Sequence, residues 1–287
     1  MLITMLTILM AILLQRFLHV KLLYGCSWLS GYFKFWQRTL PTPRKWLILL
    51  SVLLPIGAVL AVIHYACAAF WGSFYYLGFS LLVLLCCVDF SDPKQELNDY
   101  LKQVESADFP SAIAALPERF VIGATEDHVG IVHQVTIYIL SEAFTKMLVG
   151  LFWFAICGIY GLGIYGVVFY VTLVAFERYA TETAQQQLAN FLAVLISRLE
   201  WLPARVIGFS FALIGRFGKG SRFCIDHFMD GAATARDFVI QAGLAALDLE
   251  NHLEMGAEEN LAALDMITRT LLVWLFALAL ILIGVVV

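Results

Sequence analysis

Apolar residues run along this chain in long blocks, unlike the short alternations of a water-exposed fold. One uncharged block extends from Met147 to Phe176, 30 residues. As straight helix it would measure about 45 Å at about 1.5 Å per residue. A bilayer core of about 30 Å needs only about 20 helical residues, so the block is too long for one upright span and too short for two full ones. Gly158, Gly161, Gly163 and Gly166 crowd its middle. The pattern predicts either one broken span or a re-entrant hairpin whose two half-helices meet at "GIYGLGIYG". The hairpin is the preferred form, because the basic segment that follows suggests entry and exit on one side. Non-helical backbone at membrane depth persists only where protein buries it or a wet cavity receives it.

Other blocks surround this one. Trp46 to Trp71 reads as a span and Ser73 to Val88 as a second, joined tightly at "FWGS" into a helical hairpin. Leu2 to Leu14 is short for a span. No positive region precedes it and no A-x-A site follows, so an uncleaved, membrane-associated first helix is expected. Leu271 to Val287 supplies a C-terminal span beside Arg269. Between the first two blocks, "GYFKFWQRTLPTPRKW" interleaves aromatic and basic residues, the mixture found where headgroups meet water.

The remaining stretches are amphipathic. Ser91 suits a cap and Pro93 a first turn, and Leu97, Tyr100, Leu101 and Val104 then form one apolar stripe. A short helix is expected from Ser111 to Phe120, and another from Glu126 running into Met147. Thr181 to Trp201 carries Leu188, Phe191, Leu192, Leu195 and Leu199 on one face. Pro203 is read as opening the next helix, Gly218 and Gly220 as punctuating it, and Ser221 to Glu250 as one long helix.

Composition sharpens this into a class. The chain has 287 residues, 61% apolar and 14% charged, with a mean hydropathy of +0.85. Soluble domains carry about 25% charged residues, so the fold class is an all-α polytopic membrane protein. Its expected architecture is a helical bundle holding the Gly-rich segment, with cytosolic amphipathic helices. The expected layout is one membrane-embedded domain: 1–45 first helix and basic loop, 46–88 hairpin, 89–146 cytosolic helices, 147–176 Gly-rich segment, 177–270 interfacial helices, 271–287 final span. The first 88 residues carry Arg16, Lys21, Lys34, Arg38, Arg44 and Lys45 and no acid, whereas the remainder is acidic. A basic loop beside spans indicates cytoplasmic orientation, with the bilayer and not nucleic acid as partner. The six cysteines contain no CxxC, which points to neither a zinc ribbon nor a redox motif.

Chemistry-bearing motifs are sparse. "GRFGKGS" (Gly215 to Ser221) has Leu213 where a phosphate loop needs its first glycine, and Gly220 follows the lysine. A basic interfacial turn is the better reading. In "EDHVGIVH", His128 and His133 are five apart and fall on different helix faces. "CIDHFMD" places Cys224 near His227 and Asp226 near Asp230, but completes no four-ligand zinc set. No metal is expected. His64 inside a span reads as a packed histidine. Arg16, Glu177 and Arg178 adjoin the apolar layer, where charges either pair, line a cavity or snorkel.

Three stretches together carry a family resemblance. "LFWFAICGIYGLGIYG" (Leu151 to Gly166), "LEWLPARVIGFSFALIGRFGKG" (Leu199 to Gly220) and "LLQRF" (Leu13 to Phe17) resemble the AmpE family of bacterial inner-membrane proteins. The strongest match is the acidic residue, aromatic and Pro-x-Arg of "LEWLPARVIGFSFALIG". The resemblance implies a multi-pass regulatory protein of the inner membrane that modulates β-lactamase induction. It implies action beside a cytosolic amidase of muropeptide recycling, or on a cell-wall-derived ligand. AmpE is in turn similar to adenosylcobinamide-phosphate synthase, an amide-forming enzyme that uses Mg-ATP. Where that family has several acids, this chain keeps Glu142 in "SEAFTKMLVG", Glu200 before Pro203, and Glu177. The expected ligand site is Arg16, Gly158, Gly161, Gly163, Glu200 and Arg205 around a cytosol-facing pocket, with no cofactor. Under the alternative enzyme reading, Glu142, Glu177 and Glu200 would hold Mg-ATP.

Overall fold

The computed structural model describes residues 2–18, 27–39, 45–89, 97–106, 109–116, 128–230, 234–248 and 257–286. Among these, all regular structure is helical. The chain forms two compact units, one from 1–91, 149–199 and 279–287, the other from 92–148 and 200–278.

The first unit contains helices α1 (Leu2–Leu18), α2 (Ser27–Thr39) and α3 (Lys45–Cys87). It also contains α7 (Val149–Ile159), α8 (Gly163–Glu182) and the beginning of α9 (Gln186–Ile214). The backbone of α3 is helical throughout, yet it folds back. The His64 ring lies 5.3 Å from that of Tyr76, twelve residues on, where a straight helix would separate them by about 18 Å. Its two apolar arms are Lys45–Ala66 and Tyr75–Cys87. The second arm runs antiparallel to α7: the Tyr76 hydroxyl bonds the Gly161 carbonyl at one end, and Val88 packs on Gly150 at the other. The first arm runs beside α8, with Leu49 and Val52 in one core with Leu173, Phe176 and Tyr179. Phe33 of α2 closes that core, its ring 4.8 Å from Phe176 and 5.5 Å from Tyr179. Leu188 and Leu192 of α9 are buried in it, and Phe191, Leu195 and Leu199 pack against it, so the apolar face read from the sequence is the packed face.

The second unit holds α4 (Asn98–Glu105), α5 (Phe109–Ala114), α6 (His128–Ala143) and a π-helical turn (Phe144–Leu148). It also holds the rest of α9, α10 (Phe217–Asp226), α11 (Ala235–Leu247) and most of α12 (Ala257–Val286). The stripe Leu97, Tyr100, Leu101 and Val104 is buried as its spacing requires. Asn260 is fully buried among α4, α6 and α12. It receives the Tyr100 hydroxyl at 3.3 Å and donates to the Val132 carbonyl at 3.0 Å and the Thr136 hydroxyl at 2.9 Å. Trp274 of α12 donates to Ser210 of α9 at 2.9 Å. Among the described residues, three helical stretches are long and apolar enough to cross a membrane: Lys45–Ala66, Val129–Ile159 and Ala257–Ile281.

Several boundaries differ from the sequence reading. The short helix begins at Phe109, not Ser111, and ends at Ala114; Ser91, Pro93 and 117–127 lie outside the described residues. α8 continues to Glu182, and the break comes at 183–185, where Ala184 takes φ +56°. Pro203 does not open a helix but lies within α9. Its ring costs one backbone hydrogen bond, whereas Ala204 and Ile207 beside it are fully buried. Burial outweighs the breaker signal. Gly220 likewise lies inside α10: a Cβ there would come 2.9 Å from Ala212, so glycine serves the close approach of α10 to α9. The long helix expected over 221–250 is two, α10 and α11, the second started by a Thr234–Asp237 capping box.

Candidate functional site

The expected site residues fall into two groups, one in each unit. Gly158, Gly161 and Gly163 surround the three-residue turn Tyr160–Leu162 that joins α7 to α8. Gly161 has φ +75°, the left-handed region that glycine alone enters without steric cost. Gly158 and Gly163 are small for packing. A Cβ at Gly163 would stand 2.8 Å from the Phe154 carbonyl, and one at Gly158 would stand 2.9 Å from the Thr4 hydroxyl. Thr4 in turn donates to the Gly158 carbonyl at 3.3 Å. His64, Tyr65, Tyr76 and Tyr165 group their rings beside the turn. Arg16 belongs to α1, but its side chain lies outside the described residues.

Arg205 and Glu200 lie on α9 in the second unit. Arg205 is only 3% exposed. Its guanidinium carbon sits 4.3 Å from the Phe238 ring centroid and 4.9 Å from that of Trp201, a cation held between two aromatic faces. Nε donates to the Phe228 carbonyl and an Nη to the Asp230 carbonyl, both at 3.2 Å. Burial lowers its pKa, the carboxylate of Asp230 opposes that shift, and an arginine so placed stays charged. Arg205 therefore fixes the chain that leaves α10. That turn displays Met229, 82% exposed, beside Phe228 and Ile225. Glu200 is buried near the start of the same segment.

Of the acids of the alternative reading, Glu142 and Glu200 belong to the second unit and Glu177 to the first. Glu142 pairs with Lys146 one helical turn on, at the π-helical turn. Glu177, in the other unit, accepts from Thr181 at 3.2 Å. Among the described residues, no three His, Cys, Asp or Glu side chains gather as a metal ion would require. His227 stacks on Phe223 at 4.4 Å.

Two features escaped sequence reasoning. Asp248, in a left-handed conformation at the end of α11, is clamped by Arg216 and Lys219, and the Arg216 amide donates to the Ala246 carbonyl at 2.8 Å. The basic pair of "GRFGKGS" thus meets a carboxylate of its own chain. Asn260 was the other; a lone Asn in an otherwise apolar helical stripe was the available signal.

Among the described residues all regular structure is helical and three helical stretches have membrane-crossing length and hydropathy, which makes the chain an all-α membrane protein. Over residues 3–287 it matches the family described as "Regulatory signalling modulator protein AmpE", and it belongs to that family. No curated protein and no solved structure matches it.

Proposed function

We propose that this chain is a multi-pass regulatory modulator of the bacterial inner membrane, linked to β-lactamase induction and muropeptide recycling. On this reading it acts by binding a partner protein, such as a cytosolic muropeptide amidase, or a cell-wall-derived ligand. The observation that carries the reading is the family match over residues 3–287, which covers the chain from end to end. The geometry of Arg205 supports the binding mode: a buried cation holds the turn while Met229 stands exposed on it and Ile225 is exposed at the end of α10. A rigid turn with apolar tips loses little conformational entropy on docking.

The test combines two measurements on the full chain, one in cells and one in mild detergent. Site-specific photocrosslinking at Met229 in cells that express the amidase should capture that protein, and Arg205→Ala should abolish capture. Native mass spectrometry in the presence of anhydro-muropeptides should show retention if the ligand is the wall fragment itself. The absence of both capture and retention would defeat the proposal. Turnover of Mg-ATP with adenosylcobyric acid would replace it by an amide-forming synthase.

A further inference from the structure

The first unit has two chemically different ends. At one end stand Lys34 and Arg38 of α2, Lys45 and Trp46 at the start of α3, and Glu177, Arg178 and Glu182 at the end of α8. These belong together in space: the Phe33 ring packs on Phe176 and Tyr179, Arg38 lies near Tyr179, and the Trp46 ring meets Phe191 edge-on at 4.8 Å. Asp89 follows Val88, which packs on Gly150 away from the Gly161 turn. At the other end the Tyr160–Leu162 turn is ringed by His64, Tyr65, Tyr76 and Tyr165. Tyr160 there is 79% exposed and Tyr65 75%. Not one Asp, Glu, Lys or Arg lies between 47 and 88 or between 147 and 176.

The spacing of the two ends has a physical meaning. From Trp46 to Tyr65 the first arm of α3 rises 19 residues, about 28 Å at about 1.5 Å each. That is close to the thickness of a bilayer core, about 30 Å. Tryptophan and tyrosine collect at both membrane–water interfaces, and basic residues collect on the cytoplasmic one. Thr4, near the start of α1, touches Gly158 at the turn, so α1 leads away from the tyrosine end toward the basic one.

We infer that the first unit crosses the whole bilayer, that its Gly-rich turn emerges at the face opposite the basic loop, and that Tyr65, Tyr76, Tyr160 and Tyr165 form a belt in the far headgroup layer. The occupant of this aromatic face is the lipid headgroup region of the outer leaflet. On this placement the Gly158–Gly163 turn does not end at mid-depth and does not open on the cytosol. The helical stretch Val129–Ile159, which leads into the turn, is by length and hydropathy able to cross, and within it Lys146 pairs with Glu142. The inference stands independently of the regulatory role proposed above.

Cysteine labelling on intact bacterial cells that express the full chain tests it. Tyr160→Cys should react with a membrane-impermeant maleimide in intact cells, above the background of the unsubstituted chain, which carries its own cysteines. Lys34→Cys should react only after permeabilisation. Leu162→Cys, 52% exposed on the same turn, repeats the first measurement should Tyr160→Cys fail to accumulate. Labelling of both ends from the same side would overturn the inference, as would protection of the turn cysteines both before and after permeabilisation.

Discussion

The hydroxyl of Tyr76 donates to the carbonyl of Gly161 at 2.9 Å, across 85 residues of chain. One bond thus ties the second arm of α3 to the tip of the α7–α8 turn. Gly161 itself takes φ +75°, the left-handed region.

Gly161→Ala should destabilise the protein by about 1–2 kcal/mol, the cost of a left-handed backbone in a residue with a Cβ. No atom lies within 4 Å of the added methyl, so the loss is one of backbone strain alone. Gly163→Ala should cost more, because its methyl meets the Phe154 carbonyl at 2.8 Å and pushes α7 from α8. Gly218→Ala, in open space on α10, should change stability by less than about 0.5 kcal/mol. Thermal unfolding in detergent gives the order directly, and equal midpoints for all three would contradict it.

Arg205→Met removes the donors to the Phe228 and Asp230 carbonyls and empties the space between Trp201 and Phe238. A loss of about 3 kcal/mol is expected, since hydrogen bonds to a charged donor contribute about 1.5–3 kcal/mol each. Arg205→Lys should recover less than half of it, because an ammonium neither stacks nor bridges two carbonyls as a planar fork does. Protease cleavage near Met229 should accelerate in both variants. Unchanged cleavage would show that Arg205 does not hold the turn.

Asn260→Ala should cost about 1–3 kcal/mol, because it strands the Tyr100 hydroxyl in a buried site, whereas the Val132 carbonyl keeps the Thr136 hydroxyl. Tyr100→Phe alone should cost less, and the double variant should cost less than the sum of the two. A double-mutant cycle that closes additively would mean the pair is not coupled.

Cys224 is fully buried, and burial raises its thiol pKa to about 11, while the nearby Arg205 pulls it down. The folded chain therefore keeps a proton that the unfolded chain gives up near pH 8.5. The stability tied to this group is whole below about pH 8.5 and is lost as the pH rises toward 11. Mass-spectrometric mapping of maleimide labelling at pH 8 should find Cys224 the slowest to react among Cys86, Cys157 and Cys224. Fast labelling there would mean that the α9–α10 packing opens readily.

The two units were legible to different degrees. In the first, uncharged blocks marked α3, α7 and α8, and the glycine cluster marked the turn. In the second, the buried stripe of α4 followed from its spacing alone. Pro203 and Gly220 misled for one reason: both are helix breakers by local propensity, and both sit in helices whose burial against Ala212 or beside Ala204 and Ile207 outweighs that propensity. Arg216 and Lys219 showed as a basic turn, but their partner Asp248 lies some 30 residues on, beyond the reach of any local spacing rule.

By itself the sequence determined what each segment is: apolar enough for lipid, amphipathic enough for an interface, or glycine-rich enough to turn. Those are local properties, set by transfer free energy and backbone sterics at each residue. Only the tertiary structure decided which segments meet. Arg205 found the Phe228 and Asp230 carbonyls, Asp248 found Arg216 and Lys219, and Tyr76 found Gly161, because packing at the atomic scale depends on shape and partner, which hydropathy along the chain does not record.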